Sequence, residues 1–199
     1  MKNTLNIFTA CSRLENIFTV YNSIKPYVKK LDNGEYNIYW YVIQGGKGVT
    51  LENYRRQFDS IEDPWIIEGC IDESTYGKSQ WNWTLDMIKD GWCFGLDDDN
   101  ILHPNMYFLF DKHKDEDLNG IIGNQIDKFN NLRLIARPSD VRVCHIDISS
   151  YILKREYIGD KRFGMEYSGD GRFIEELYKA NPEKFLFINE PISYFNFLR

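Results

Sequence analysis

The chain has no CxxC pair, no basic excess, no repeat or low-complexity segment, and nothing near the roughly twenty apolar residues of a membrane span. Each absence narrows the field. Its cysteines, at positions 11, 70, 93 and 144, stand singly and three lie in apolar runs, which reads as buried free thiols in a reducing compartment. The opening MKNTLNIFTACSR holds too short an apolar run for a signal peptide, so a cytoplasmic location is expected, with attachment at a membrane surface left open. Lys plus Arg number 24 against 30 Asp plus Glu, a net charge of −6. That balance excludes a general nucleic-acid or polyphosphate surface. A site for an anionic ligand would have to rely on local Arg or Lys, backbone amides or a metal. What is present is ordinary for a soluble globular chain: 199 residues, 43% hydrophobic and 27% charged, enough for one domain with a real core. Aromatic residues are plentiful at 16%, and rings are core material first.

The hydrophobic pattern alternates between periods. Short apolar runs at 5–10, 36–43, 65–68 and 92–96 predict strands. Helical spacing at 14–29 and 78–89, the latter with Trp81, Leu85 and Ile88 on one face, and a short segment at 49–58 predict the helices between them. The first half therefore reads β-α-β-α-β-α-β, which implies a largely parallel sheet covered by helices. Beyond it, Pro104 opens a helix to residue 113. Strands are expected at 120–126, 132–136, 141–153 (with a break near Ser149) and 185–197, and a helix at 168–180. Gln44 to Gly48 is a glycine-rich turn without phosphate-loop spacing.

Three carboxylates in a row, Asp97, Asp98 and Asp99, follow the fourth strand. Ligands of open α/β sheets bind at the carboxyl ends of strands, near a switch in strand order. Hard oxygen donors without a nearby His or Cys suit Mg²⁺ or Mn²⁺, which complete their shells with substrate phosphates and water. A solvated acidic turn capping the next helix is the plainer alternative. His145 and Asp147, two apart in an expected strand, would share a face. Trp81 and Trp83 read as core on a helix, with sugar stacking as the sharper reading for one of them. Arg133, Arg137 and Arg142 follow the middle strands, where one could reach a diphosphate or an acceptor.

The segment GWCFGLDDDNILHPNMYFLF is similar to the D-x-D region of GT-A nucleotide-sugar glycosyltransferases. FTACSRLENI resembles their first strand and loop, TYGKSQWNWTLDMIKDGW the helix before D-x-D, VCHIDISSYILKREYIGDKRF the strand that returns across the site, and SGDGRFIEEL the acidic segment of the acceptor side. Trp81 stands where an Arg is common and Gln44 where an acidic residue is usual. The resemblance spans residues 4 to 195 and rests on order and spacing. It implies a single GT-A-like (Rossmann-like) α/β domain with a mostly parallel central sheet, residues 1–100 binding nucleotide and 101–199 acceptor. It implies a metal-dependent hexosyltransferase using Mn²⁺ or Mg²⁺ and a nucleotide-diphosphate sugar, a UDP-sugar favoured, with a saccharide or lipid-linked acceptor. Thr9, Ala10, Cys11 and Arg13 would line the nucleotide pocket. Lys78 and Asn82 would lie near the phosphates, and Asp97 or Asp98 at the ribose. Asp99, then Asp97, would hold the metal, and Asp170 would be the base of an inverting reaction. The short second half leaves room for an oligomer or a membrane surface to complete the acceptor side. Other readings stay open: a haloacid-dehalogenase-like phosphatase with G-D-G as a late acidic loop, a nucleotidyltransferase, or a nucleotide-sugar-binding domain without turnover.

Overall fold

A computed structural model describes residues 3–47, 61, 63–72 and 76–199. The helix expected at 49–58 lies outside these residues. Period-2 apolar runs form β1 (Leu5–Cys11), β2 (Ile38–Gly45), β3 (Ile66–Ile71) and β4 (Trp92–Gly95). Helix α1 (Leu14–Ile24) follows β1, and α2 (Lys78–Met87) precedes β4. Next come β5 (Ile101–Leu102), α3 (Pro104–His113), β6 (Gly120–Asp127) and β7 (Leu132–Leu134). The chain closes with β8 (Tyr151–Lys154), α4 (Arg155–Ile158), α5 (Gly169–Ala180) and the long β9 (Phe185–Phe195). Among the described residues, no helix is long and apolar enough to cross a membrane.

The strands join into one sheet in the order β3-β2-β1-β4-β8-β6-β9-β5, with β7 beside β6. β1 to β4 pair in parallel, as the alternating pattern predicts. β8 runs against both β4 and β6, which turns the remainder into a mixed sheet, and β6 and β9 again run with β4. Side chains alternate between the two faces. Leu5, Ile7, Trp40 and Val42 pack under α1 and α3, whereas Phe8, Tyr41 and Ile43 pack under α2 and α5 with Trp81, Leu85, Phe173 and Leu177. Each face thus has its own apolar layer, the arrangement of a three-layer α/β domain.

One expectation needs correction. The strand expected at 141–153 is only Tyr151–Lys154. The preceding β-branched residues run outside the sheet because polar anchors hold them: the Val143 amide donates to Glu175 Oε2 (3.0 Å), and Asp147 caps the turn Ile148–Ser150 by accepting from the Ser149 amide (3.0 Å). His145 and Asp147 therefore do not share a strand face. The helix expected at 168–180 is present as Gly169–Ala180, with Ser168 at its N-cap position.

Candidate functional site

The chain leaves β1 outward to β2 and β3, then returns to β4 on the other side of β1. The carboxyl ends of β1 and β4 are therefore the switch point of the sheet, where loops diverge and leave a crevice. A cleft of about 560 Å³ opens there. It is lined by Ala10, Ser12 and Arg13 after β1, the Asp97–Asp99 turn after β4, Lys78 and Trp81 of α2, Arg133, Asp147, Asp170 of α5, and Arg199.

The three aspartates stand in different surroundings. Asp98, 3% exposed, is held entirely by the β1–α1 loop. Its Oδ2 accepts from the Ser12 amide (2.5 Å), the Ser12 hydroxyl (2.8 Å) and the Arg13 amide (2.7 Å), and its Oδ1 pairs with the Arg13 guanidinium. Asp99 Oδ2 takes two guanidiniums, Arg13 Nη1 at 3.1 Å and Arg199 Nε at 2.5 Å. Burial nonetheless raises the Asp99 carboxyl above its ordinary range, opposed by those two cations. The Asp97 carboxyl has no cationic or hydrogen-bonding partner among the described residues. Its carboxyl is pushed well above the ordinary range by burial first, then by Asp147, Asp99, Asp170 and Asp98. Its backbone amide donates to Ser149 Oγ at 3.4 Å, and the Asn100 amide group shares that hydroxyl at 3.0 Å.

Across the cleft, Lys78 is only 3% exposed although it opens α2. Its Nζ lies 4.3 Å from the Trp81 ring centre and 3.8 Å from Asp170 Oδ1. Burial raises the Asp170 carboxyl, Lys78 opposes that and Asp147 adds to it. The glycines beside Asp170 explain the S-G-D-G run. A side chain at Gly169 would strike the Gly164 carbonyl, and one at Gly171 would press the Val143 and Cys144 backbone at 3.2 Å. Only glycine lets α5 start so close to its neighbours, and that brings Asp170 to the cleft.

Of the residues expected from sequence, Ala10, Arg13, Lys78, Asp97, Asp98, Asp99 and Asp170 come together in the cleft. Thr9, Cys11 and Asn82 do not line it. Thr9 is buried and accepts from the Trp40 indole at 3.0 Å. Cys11 is fully buried, and burial lifts its thiol far above its ordinary range. Asn82 clamps the backbone of Phe163 with two bonds, 3.0 and 2.8 Å. Trp81 is core, packed edge-on to Phe163 with no acceptor for its indole N–H among the described residues, while Trp83 is half-buried.

Arg199, Ser12, Tyr76 and Tyr167 were not anticipated. Ser12 has a signal, a hydroxyl residue just past β1. Arg199 has none, since its partner lies 100 residues away. Arg133, one of three arginines considered, pairs with Gln125 and lies 3.4 Å from Asp147, stacked on the Phe195 ring.

The oxygen donors suit a divalent cation. Asp97 is an uncompensated carboxylate beside Asp99, whose two guanidiniums both take one oxygen. Among the described residues no three His, Cys, Asp or Glu side chains form a ready cage. Substrate oxygens and water would have to complete the shell, as is usual for Mg²⁺.

No protein-family model matches the chain, and comparison with curated sequences returns no match. Solved structures do match. S. aureus TarS residues 1–349 in complex with UDP-GlcNAc superposes with a TM-score of 0.70 at 11% identity, over 96% of this chain and 58% of that one. A second structure of S. aureus TarS residues 1–349 gives 0.69 at 13% identity, over 96% and 60%. Mannosyltransferase PcManGT from Pyrobaculum calidifontis, in complex with GDP-Man and Mn²⁺, gives 0.61 at 12%, over 96% and 56%. The chain spans less than two thirds of the length of these structures, and what it shares with them is the GT-A-like fold.

Proposed function

We propose that the protein is a metal-dependent glycosyltransferase that uses a nucleotide-diphosphate sugar. The observation that carries this reading is the unmatched Asp97 carboxylate, set with Asp99 in the switch-point cleft and facing Asp170 beside the buried Lys78. The neighbours' ligands, UDP-GlcNAc and GDP-Man, support it by chemical class.

Asp97 and Asp99 would hold Mn²⁺ or Mg²⁺, which would neutralise charge on the leaving diphosphate. Asp98 braces the β1–α1 loop and so positions Arg13 and Ala10 at the nucleotide. Thr9, Cys11 and Asn82 act from behind, as packing and loop supports. Lys78, at the N-terminus of α2, favours the diphosphate from the other wall. Asp170 accepts the proton of an acceptor hydroxyl as its oxygen bonds to the anomeric carbon. The bond to the diphosphate oxygen breaks with its electron pair leaving on the nucleoside diphosphate, and configuration inverts. Residues 1–100 carry the donor contacts and 101–199 the acceptor side.

The test is to measure binding and nucleoside-diphosphate release across a panel of nucleotide sugars with Mn²⁺, with Asp97→Asn and Asp99→Asn as controls. Mn²⁺-dependent binding lost in both variants is expected. Absence of binding to every nucleotide sugar sinks the reading. Binding without release under any acceptor points to a binding domain, and phosphate release from a phosphomonoester points to a phosphatase.

A further inference from the structure

Two rings at the cleft mouth have no part in the donor chemistry. Tyr76 and Tyr167 both line the cleft, 66% and 79% exposed, with ring centres 5.6 Å apart and planes at 89°. A pair of open rings in contact beside a cleft is the kind of exposed patch that marks a ligand-binding groove. Neither hydroxyl has a hydrogen-bond partner among the described residues. Tyr76 is also held in the left-handed region (φ 48°), directly before Gly77 (φ 80°), a conformation that non-glycine residues adopt infrequently and that gathers at functional sites. Met165, 49% exposed and two residues before Tyr167, meets Ser79 of α2 through its sulfur at 3.9 Å.

Position supplies the ligand class. Tyr76 precedes Lys78 by two residues and Tyr167 precedes Asp170 by three. Whatever lies on the rings therefore lies next to the carboxylate that takes the acceptor proton. The charges there are already matched: Arg172 with Glu166 at 2.7 Å, and Lys78 with Asp170. An anionic acceptor would find no surplus cation among them. A neutral pyranose fits, because its C–H face is apolar enough to stack on a ring while its hydroxyls stay in water. We infer that Tyr76 and Tyr167 form an acceptor subsite that grips the end of a neutral saccharide and presents its hydroxyl to Asp170. This rests on the glycosyl-transfer reading above and adds the acceptor class and the residues that read it.

The experiment follows tyrosine ring resonances by NMR and affinities by calorimetry, using the full chain with Mn²⁺ and UDP. Neutral malto-, cello-, chito-, manno- and xylo-oligosaccharides are titrated in turn. Binding of at least one series is expected, with shifts at both rings. Tyr76→Ala and Tyr167→Ala should each weaken it about tenfold, while Tyr76→Phe and Tyr167→Phe stay within about twofold. Nucleotide-sugar affinity should move less than about twofold in all four variants. The subsite is overturned if no series binds the parent protein, or if the alanine variants bind saccharide as well as the parent. A loss of nucleotide affinity instead of saccharide affinity also overturns it, because the rings would then hold the base. Failure of the parent protein to bind any nucleotide sugar removes the transferase reading itself, a separate result read in a separate titration.

Discussion

Asp97→Asn and Asp98→Asn remove the same charge one residue apart, and the structure predicts opposite effects on stability. Asp98 is buried and accepts four bonds, three of them on Oδ2. Asparagine can keep its oxygen toward the Ser12 and Arg13 amides only by turning its NH₂ on the Arg13 guanidinium. Charge-assisted bonds are worth about 1.5–3 kcal/mol each and are not additive. Arg13 is one-third exposed by side chain, so water recovers part of its loss. A net cost of about 3 kcal/mol is reasonable for breaking one buried charge pair with part of its bonds kept. For a chain of this size that lowers Tm by about 6–12 °C. Asp97 has no such bonds and is surrounded by like charge. A carboxyl whose folded pKa is raised costs folding free energy once ionised, and the cost disappears as pH falls through that raised value. Removing the charge should therefore leave stability at neutral pH unchanged or raise it, by at most about 2 kcal/mol, the usual range for relaxing a functional site. Differential scanning fluorimetry at neutral pH, with urea unfolding as a check, measures both. Equal destabilisation by the two variants, or a harmless Asp98→Asn, would refute the division of labour within the triplet.

Three further outcomes are expected. Lys78→Met removes the cation that opposes the raised carboxyl of Asp170, so the acidic limb of the pH–rate profile should move to higher pH; an unmoved limb would separate Asp170 from the proton transfer. Gly95→Ala puts a methyl group into the Ile148 side chain under the Asp97 turn and should cost about 1–3 kcal/mol in urea unfolding. Chelating divalent ions should weaken nucleotide-sugar binding at least about tenfold by calorimetry, and equal affinity in EDTA would remove the metal from the site.

The fold was legible where the two periods were clean. Leu5–Cys11, Ile38–Gly45, Lys78–Met87 and the Asp97–Asp99 turn all stand where alternation placed them. It failed at 141–150, where Val, Ile and Cys imitate a strand. Pattern alone cannot reveal that Glu175 and Asp147 hold this backbone in turns, because those bonds reach across the sequence or compete locally with a ladder. The cleft was half legible for the same reason. Asp170 and Lys78 come from short runs with turn glycines, whereas Arg199 meets Asp99 only through the closing strand β9 and its end. Thr9, Cys11 and Asn82 lie in the right stretches but turn away, since a strand or helix shows alternate sides and a linear motif does not say which side is open. Of the exposed tyrosines, Tyr76 stands inside a motif read for its Gly77 and Lys78, and Tyr167 stands one residue before the SGDG run.

On the proposed reading, charge explains why this cleft would call on a metal. The cleft walls hold five carboxylates, Asp97, Asp98, Asp99, Asp147 and Asp170, and four permanent cations, Arg13, Lys78, Arg133 and Arg199. The cleft therefore nearly neutralises itself. Three of the cations are committed to Asp98, Asp99, Asp147 or Asp170, and the fourth, Arg199, also lies on Asp99. Asp97 is the carboxylate left over. A diphosphate brought in alone would add about two negative charges to a pocket with no cation to spare among the described residues, and like charges at low dielectric repel strongly. A divalent ion on Asp97 would cancel those charges and relieve the repulsion from Asp147, Asp99, Asp170 and Asp98 at the same time. The cluster that makes Asp97 costly in the free protein is thus what would give the cation its affinity, and ion and diphosphate would bind cooperatively because each removes the other's penalty.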